Sequence, residues 1–438
     1  MRFTRRTALI GLGASFAAVA TRSASQPREP DVVVIGAGSA GIAAAQTLQA
    51  AGRSVVVLEA MGRIGGRAWT DTQSFGVPFD QGCAWLHKST ANPYTDYART
   101  NGFDVRPHEY DLEDVYFGRR RGGPGVADRV NKIEEKMSDQ IAEFPRDTAA
   151  SRAVQVATPA EEAAADYLSS MDFAVDMDEL STFDYGHADD LEPNLLCRQG
   201  FGSIVAKRGQ GLPVRLGTPA RRVRWGGKGV VIETEAGDIR AKACVVTAST
   251  GALAAGTVRF DPEPRAAWQD ALADVPMGML AKIPLRTPGE RFGVKPFTDI
   301  LVERRGEQDI YFLSYPFDTD LMIGFVGGDF GWELSAAGQD AAVDFAKQAL
   351  ADMFGSAAPR KVDKGLLTGW ASNPWTRGAY AAARPGHYAS RAELARPFGN
   401  KVFFAGEALA DGLIQTCGGA FNSGVKTARA VHAALGAA

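Results

Sequence analysis

Cysteine is scarce in this 438-residue chain: Cys83, Cys197, Cys244 and Cys417 are the only four, and they stand far apart. That spacing excludes a paired-thiolate metal site and a disulfide-stapled scaffold. Cys244, inside the apolar run AKACVVTAS, and Cys83 read as free, buried thiols. Excess positive charge is missing too. Lys and Arg number 48 against 51 Asp and Glu, a formal net charge of −3, which disfavours a nucleic-acid partner. There are no internal repeats and no long blocks of one charge sign, and the composition is that of a globular protein. The uncharged run Ala8–Ala20 is too short for an ordinary membrane span.

What precedes and follows that run has a different meaning. Arg2, Arg5 and Arg6 lead into it, and Ala18-Val19-Ala20 fits a small-residue cleavage site. The adjacent Arg5-Arg6 resembles a twin-arginine export signal. The expectation is a leader at 1–20, a linker at 21–30 and a periplasmic or secreted mature protein with no stable membrane anchor. Loss of three arginines takes its formal charge to about −6.

Asp31–Ile35 is a β-branched apolar run, the pattern of a buried parallel strand. Gly36, Gly38 and Gly41 follow in G-x-G-x-x-G spacing, then an Ala-rich helical stretch to Ala51. Such glycines permit a tight turn, backbone approach to a pyrophosphate, and close helix–strand packing; the helix N-terminus favours the phosphates. Arg53–Leu58 reads as the next strand, and Glu59 at its end suits ribose hydroxyls while disfavouring a 2′-phosphate. Directly afterwards, Arg63, Gly65, Gly66 and Arg67 form R-x-G-G-R. A short nicotinamide site has no need of these donors, whereas an extended FAD does, and Arg67 offers them as a planar fork.

These segments, with DQGCAWLH (80–87), Lys282 in PMGMLAKIP, GWASNPWTRGAY (369–380), FFAGEA (403–408) and TCGGA (416–420), resemble the flavin-containing amine oxidases: monoamine oxidases, polyamine oxidases and lysine-specific histone demethylases. The resemblance runs from about residue 30 to the C-terminus and is weakest between about 105 and 195. It implies that Gly82, Cys83, Ala84 and Trp85 cross the flavin ring and that Lys282 holds a water near flavin N5. It implies further that Tyr380 is an aromatic wall for the substrate nitrogen and that Gly406 and Glu407 serve the ribityl chain. Cys417 opens a helix aimed at the pyrimidine side of the flavin, and backbone at Val223 holds adenine. Ala379 stands where monoamine oxidases carry a flavin-bonded cysteine, so FAD should be held non-covalently. Thr416 replaces the second cage tyrosine, as in the demethylases, leaving a roomier pocket. W-L-H at 85–87 is closest to polyamine oxidases, with His87 a candidate contact for a substrate amine. The acidic stretch Asp184–Glu192 reads first as a solvated loop, the alternative being a segment that steers a polycation.

The expected fold is α/β plus α+β: a Rossmann-like FAD domain in discontinuous segments (31–93, 196–275 and 388–438) interleaved with a substrate domain of mixed sheet and helices (94–195 and 276–387). The expected reaction is hydride transfer from an amine α-carbon to flavin N5, then imine hydrolysis, with hydrogen peroxide formed on reoxidation. A polyamine or extended secondary amine is favoured. The alternatives are a periplasmic amine dehydrogenase passing electrons to a cytochrome or quinone, and an L-amino acid oxidase. Partners are then a small amine and oxygen or a periplasmic acceptor, with no metal and no nucleic acid; oligomeric state is unread.

Overall fold

The computed structural model describes residues 29–109, 111–303 and 308–436. The expected leader, and the linker up to residue 28, lie outside the described residues.

A five-stranded parallel sheet carries the nucleotide half. Val32–Ile35 lies at its centre, flanked by Val55–Leu58 and then Val214–Arg215 on one side, and by Ala243–Val246 and Val402–Phe404 on the other. The strands are apolar at every central position because both faces are covered. Val32 and Val34 pack with helices Ser39–Ala50 and Cys417–Ala434. Val33 and Ile35 face a layer holding Val223, Ile232 and Trp268. The turn after Ile35 depends on glycine. Gly36 has φ +104°, and a Cβ on Gly41 would sit 1.9 Å from the Gly36 carbonyl oxygen, so the helix reaches the strand end only with no side chain there.

The other half is a seven-stranded sheet in the order Lys364–Gly365, Leu280–Arg286, Leu321–Gly327, Ile310–Ser314, Asp299–Glu303, Asp114–Phe117, Arg120–Arg121. It is antiparallel apart from the parallel pair Asp299–Glu303 and Asp114–Phe117. Ile283, Phe312, Ala346 and Leu350 join one face to helix Gln339–Phe354. Leu301, Tyr311, Ile141 and Leu168 join the other to helix Val126–Ala142 and the π-helical turn Tyr167–Phe173. This is the expected α/β plus α+β architecture.

Several elements differ from the sequence pattern. The strand expected across 239–247 breaks at Lys242 into Ile239–Ala241 and Ala243–Val246, which join different sheets. Lys242 turns the chain by bonding Asp31 through both its backbone N–H (3.0 Å) and its ammonium (2.6 Å). The helix expected over 336–353 starts only at Gln339, because Gly338, at φ +94°, parts it from a preceding helix Gly328–Ala337. The region 94–195 is not wholly helical: Val105–Pro107 and Asp114–Phe117 are strands. Its first residues also pack on the nucleotide half rather than on the substrate half, with Tyr94 and Ala98 buried among Ile42, Phe201 and Phe421.

Candidate active site

A cavity of about 540 Å³ gathers residues from widely separated stretches that the sequence singled out: Arg67, Gly82, Cys83, Ala84, Trp85, His87, Lys282, Tyr380, Glu407, Thr416 and Cys417. The nucleotide end lies beyond it. The R-x-G-G-R loop rests on the G-x-G loop through Gly38 and Gly65, with Gly65 N–H donating to the Ala37 carbonyl at 2.8 Å. Glu59 is buried, accepts Ala37 N–H at 2.8 Å and Met61 N–H at 2.7 Å, and has its pKa raised by burial. Thr218 N–H bonds the Glu59 carbonyl at 2.8 Å, bringing that segment beside the carboxylate. Val223 is not brought there. Its side chain is in the core and its strand has neighbours on both edges, so a ladder occupies the backbone that the resemblance offers to adenine. The glycine cradle, the buried acid at its strand end and the adjoining long cavity fit an extended FAD.

At the cavity, Arg67 donates to Glu407 at 2.9 Å and to the Ala379 carbonyl at 2.7 Å. The other Glu407 oxygen accepts Ala381 N–H at 3.3 Å. One ion pair thus ties the R-x-G-G-R loop to the F-A-G-E turn and to the strand carrying Tyr380. Gly406 N–H is held by Ser423 Oγ at 3.2 Å. The loop 80–85 is pinned from its carbonyl side. Lys282 Nζ donates to Asp80 O at 2.9 Å and Gly82 O at 2.5 Å, and Trp370 Nε1 to Gln81 O at 2.7 Å. A Cβ on Gly82 would fall 1.7 Å from the Arg67 carbonyl oxygen, so only glycine allows this contact. Lys282 is buried, its ammonium 5.2 Å from the Phe325 ring centre and 6.0 Å from that of Trp85, and burial pushes its pKa down to about 8.

Tyr380 is half-buried, its hydroxyl donating to the Asp172 carbonyl at 3.0 Å; burial raises its pKa well above the usual value. His87 Nδ1 lies 2.8 Å from Asn194 Oδ1, while Asn194 Nδ2 donates to Glu109 at 2.9 Å. The Asn194 amide nitrogen is engaged, so its oxygen faces the ring, and His87 carries its proton on Nδ1. Burial lowers the His87 pKa to about 4, keeping the ring neutral. Thr416 requires a correction. Its hydroxyl accepts Gly419 N–H at 2.9 Å and donates to the Leu413 carbonyl at 2.9 Å, so it caps the final helix and has no proton to spare for chemistry. The four cysteines are unbonded, though Cys83 and Cys417 are only half-buried. The Cys417 thiol beside it and burial push Cys83 up.

Several residues escaped the sequence reading. Asn194 and Glu109 orient His87 across 107 positions of sequence, and no local pattern marks them. Asp184, assigned to a solvated loop, is fully buried: Arg391 meets both its oxygens at 2.6 Å, and Ala383 N–H adds a third bond at 2.7 Å. Asp172 and Glu134 also line the cavity. No three of the described His, Cys, Asp or Glu residues come together as a metal site.

Comparison with known proteins agrees with this geometry. A family model described as flavin containing amine oxidoreductase matches residues 39–432. Polyamine oxidase 4 of Oryza sativa subsp. japonica is 29% identical, over 91% of this chain and 88% of its own. Lysine-specific histone demethylase 2 of Homo sapiens is 24% identical over 92% of this chain but only 53% of its own length. Among solved structures, cyclohexylamine oxidase from Brevibacterium oxydans IH-35A superposes with a TM-score of 0.77 at 21% identity, covering 93% of this chain and 99% of that one. Putrescine oxidase bound to putrescine gives 0.76 at 20% identity, covering 92% and 99%; at such identities these two establish the fold alone. The chain belongs to the flavin-containing amine oxidoreductase family, and is a flavin-dependent amine oxidase with FAD as its cofactor.

Proposed function

We propose that the preferred substrate is a polyamine or another extended secondary amine, oxidised at the carbon next to nitrogen, with oxygen as the electron acceptor. The observation that carries this reading is the neutral His87, held in one tautomer by Asn194, in the same cavity lining as Tyr380 and Lys282. Bound FAD supplies the hydride acceptor, and its reoxidation by oxygen yields hydrogen peroxide. The protein's share is binding, orientation and charge. His87 keeps a neutral, polar ring on the cavity wall, which suits an uncharged amine better than a second cation there would. The Tyr380 ring limits the positions open to the substrate nitrogen and so aligns its α-C–H. Lys282, fixed by two carbonyls, places a cation where negative charge accumulates on reduction. Thr416 leaves room where a second aromatic wall would exclude a bulky or branched amine. The imine released by oxidation then hydrolyses to a carbonyl compound and a shorter amine.

Anaerobic bleaching of the yellow holoprotein tests this directly. Spermine, spermidine or N-acetylated polyamines should bleach it faster than aryl monoamines or free amino acids. Faster bleaching by the aryl monoamines overturns the substrate class, and faster bleaching by amino acids revives the amino acid oxidase. Admitting air should restore the colour with one peroxide per turnover; recovery only with a cytochrome or quinone would make the enzyme a dehydrogenase. We also propose export through the Arg5-Arg6 leader. An Arg5→Lys, Arg6→Lys chain should then stay in the cytoplasm, and its unchanged export would refute the signal.

A further inference from the structure

Behind one wall of the cavity stands a buried histidine–aspartate pair. Trp85, Phe325 and Tyr311 line that wall. Their ring centres run side by side, 5.8 Å from Trp85 to Phe325 and 5.2 Å from Phe325 to Tyr311. The two polar rings are tied from the rear. Trp85 Nε1 donates to His108 Nδ1 at 3.1 Å, and the Tyr311 hydroxyl donates to Asp299 Oδ1 at 2.5 Å. His108 Nε2 lies 3.3 Å from the Phe297 carbonyl oxygen and 3.5 Å from Asp299 Oδ2. His108 is 7% exposed and Asp299 1%, so the pair sits behind the wall and not on it.

We propose that His108 is a positioning residue for amine oxidation: through Nδ1 it fixes the Trp85 indole, and with Asp299 it sets the aromatic wall against which the substrate is held. This rests on the amine-oxidase reading of the cavity and is independent of which amine is preferred. The tautomer is dictated from both sides. An indole N–H only donates, so His108 Nδ1 is the bare acceptor, and a carbonyl only accepts, so the proton is on Nε2. Burial lowers the His108 pKa, which keeps a second proton off Nδ1. The backbone delivers the ring to this place. His108 directly follows strand Val105–Pro107, which pairs with Leu195–Cys197, and that strand pairs in turn with Trp85–Leu86. The next residue, Glu109, takes the Asn194 amide that orients His87. Two adjacent residues therefore orient both rings of W-L-H, and those rings stack at 6.4 Å and 21°. Asp299 opens the strand Asp299–Glu303, so the substrate sheet grips the end of the loop whose carbonyls hold Lys282. Lys282 Nζ is itself 6.0 Å from the Trp85 ring centre. An indole free to turn would shift the wall beside that cation, and displacements of about 1 Å are enough to slow a positioned reaction.

The experiment is a double-mutant cycle on the FAD holoenzyme with His108→Leu, Trp85→Phe and the two together. His108→Asn is the conservative variant, because its side-chain oxygen falls near the place of Nδ1. The substrate is spermidine or benzylamine, whichever bleaches the wild type faster. We expect His108→Leu to lower kcat/KM about 10- to 100-fold and His108→Asn to recover most of that loss. Once residue 85 is Phe, adding His108→Leu should cost less than about twofold. The same loss in both backgrounds, or no loss in the wild-type background, overturns the proposal. A second readout needs no substrate: the indole N–H proton resonance of Trp85, identified by its absence from Trp85→Phe. It should move upfield in His108→Leu and keep its place in His108→Asn; a resonance that His108→Leu leaves unmoved also overturns the proposal. If His108→Leu does not retain FAD, His108→Gln replaces it, since its polar end lies near Nε2 and leaves no acceptor at Nδ1. If neither amine bleaches the wild type, the catalytic reading fails separately, and the brace is judged by the indole resonance alone.

Discussion

Asp184 and Asp172 both lie in the stretch of the chain whose resemblance to known relatives is weakest, yet the protein treats them in opposite ways: Asp184 is fully buried, whereas Asp172 is half-buried and lines the cavity. Asp184 meets a buried Arg391 in a bidentate pair, and the same guanidinium bonds the carbonyls of Ala408 and Ala381. It therefore joins helix Thr182–Gly186 to the F-A-G-E turn and to the strand of Tyr380. Asp172, whose carbonyl takes the Tyr380 hydroxyl, has no such partner for its carboxylate. A buried charge with a full set of partners is architecture, and its removal should damage the fold. A half-buried carboxylate on a cavity wall carries no such structural duty, and its removal should leave the fold intact.

The comparison breaks most visibly at Arg391. Arg391→Met leaves Asp184 buried and uncompensated, and should cost about 3–5 kcal/mol of stability, read as a lowered denaturant midpoint with poor FAD retention. Removing both charges, with Asp184→Leu in the same chain, should recover part of that loss. A single variant within about 0.5 kcal/mol of wild type would remove Arg391 from the architectural class. Lys282 sharpens the contrast from the other side, since its partners are carbonyls and burial disfavours its charge. Lys282→Met should leave the melting temperature level or higher while slowing reoxidation by oxygen about 100-fold. Unchanged stopped-flow reoxidation would sink the role proposed for the cation.

The same contrast explains what the sequence conveyed. The nucleotide half was legible because its constraints are local: a β-branched run, glycines at fixed offsets where a Cβ would strike backbone, and an acid at the next strand end. The fold class, the cofactor and the cavity-lining motifs followed from such signals. Charge pairing leaves no local trace. Asp184 and Arg391 are 207 positions apart, so an aspartate in the heart of the molecule read as part of a solvated acidic loop. Thr416 failed differently. The motif suggested a gap in an aromatic cage, but the fate of its hydroxyl depends on the final helix, whose start at Cys417 turns Thr416 into a cap. Val223 was placed by motif alone, and only the sheet shows that both edges of its strand are engaged.

The smallest effect expected concerns pH, and its sign follows from the unpaired carboxylates. Asp172 and Glu134 hold their protons to about 7 and about 8 in the folded protein, against ordinary values of 3.8 and 4.5. Between those limits the native state binds more protons than the unfolded chain, so stability falls as pH rises. His87 opposes this only below its ordinary 6.5, because its folded value is about 4. Lys282 opposes it only above about 8, where the unfolded chain still holds a proton that the folded one has released. The window from pH 6.5 to 8 therefore isolates the carboxylates. Asp80, Asp299 and Glu59 are raised as well, but they are shared by every variant. The measurement is the difference in melting temperature between pH 6.5 and 8 for the ligand-free holoenzyme and for an Asp172→Asn, Glu134→Gln chain. The wild type should lose about 1–3 °C more than the variant. Parallel slopes without ligand would mean that the two carboxylates are solvated after all, and that the distinction between Asp172 and Asp184 is one of depth rather than of purpose.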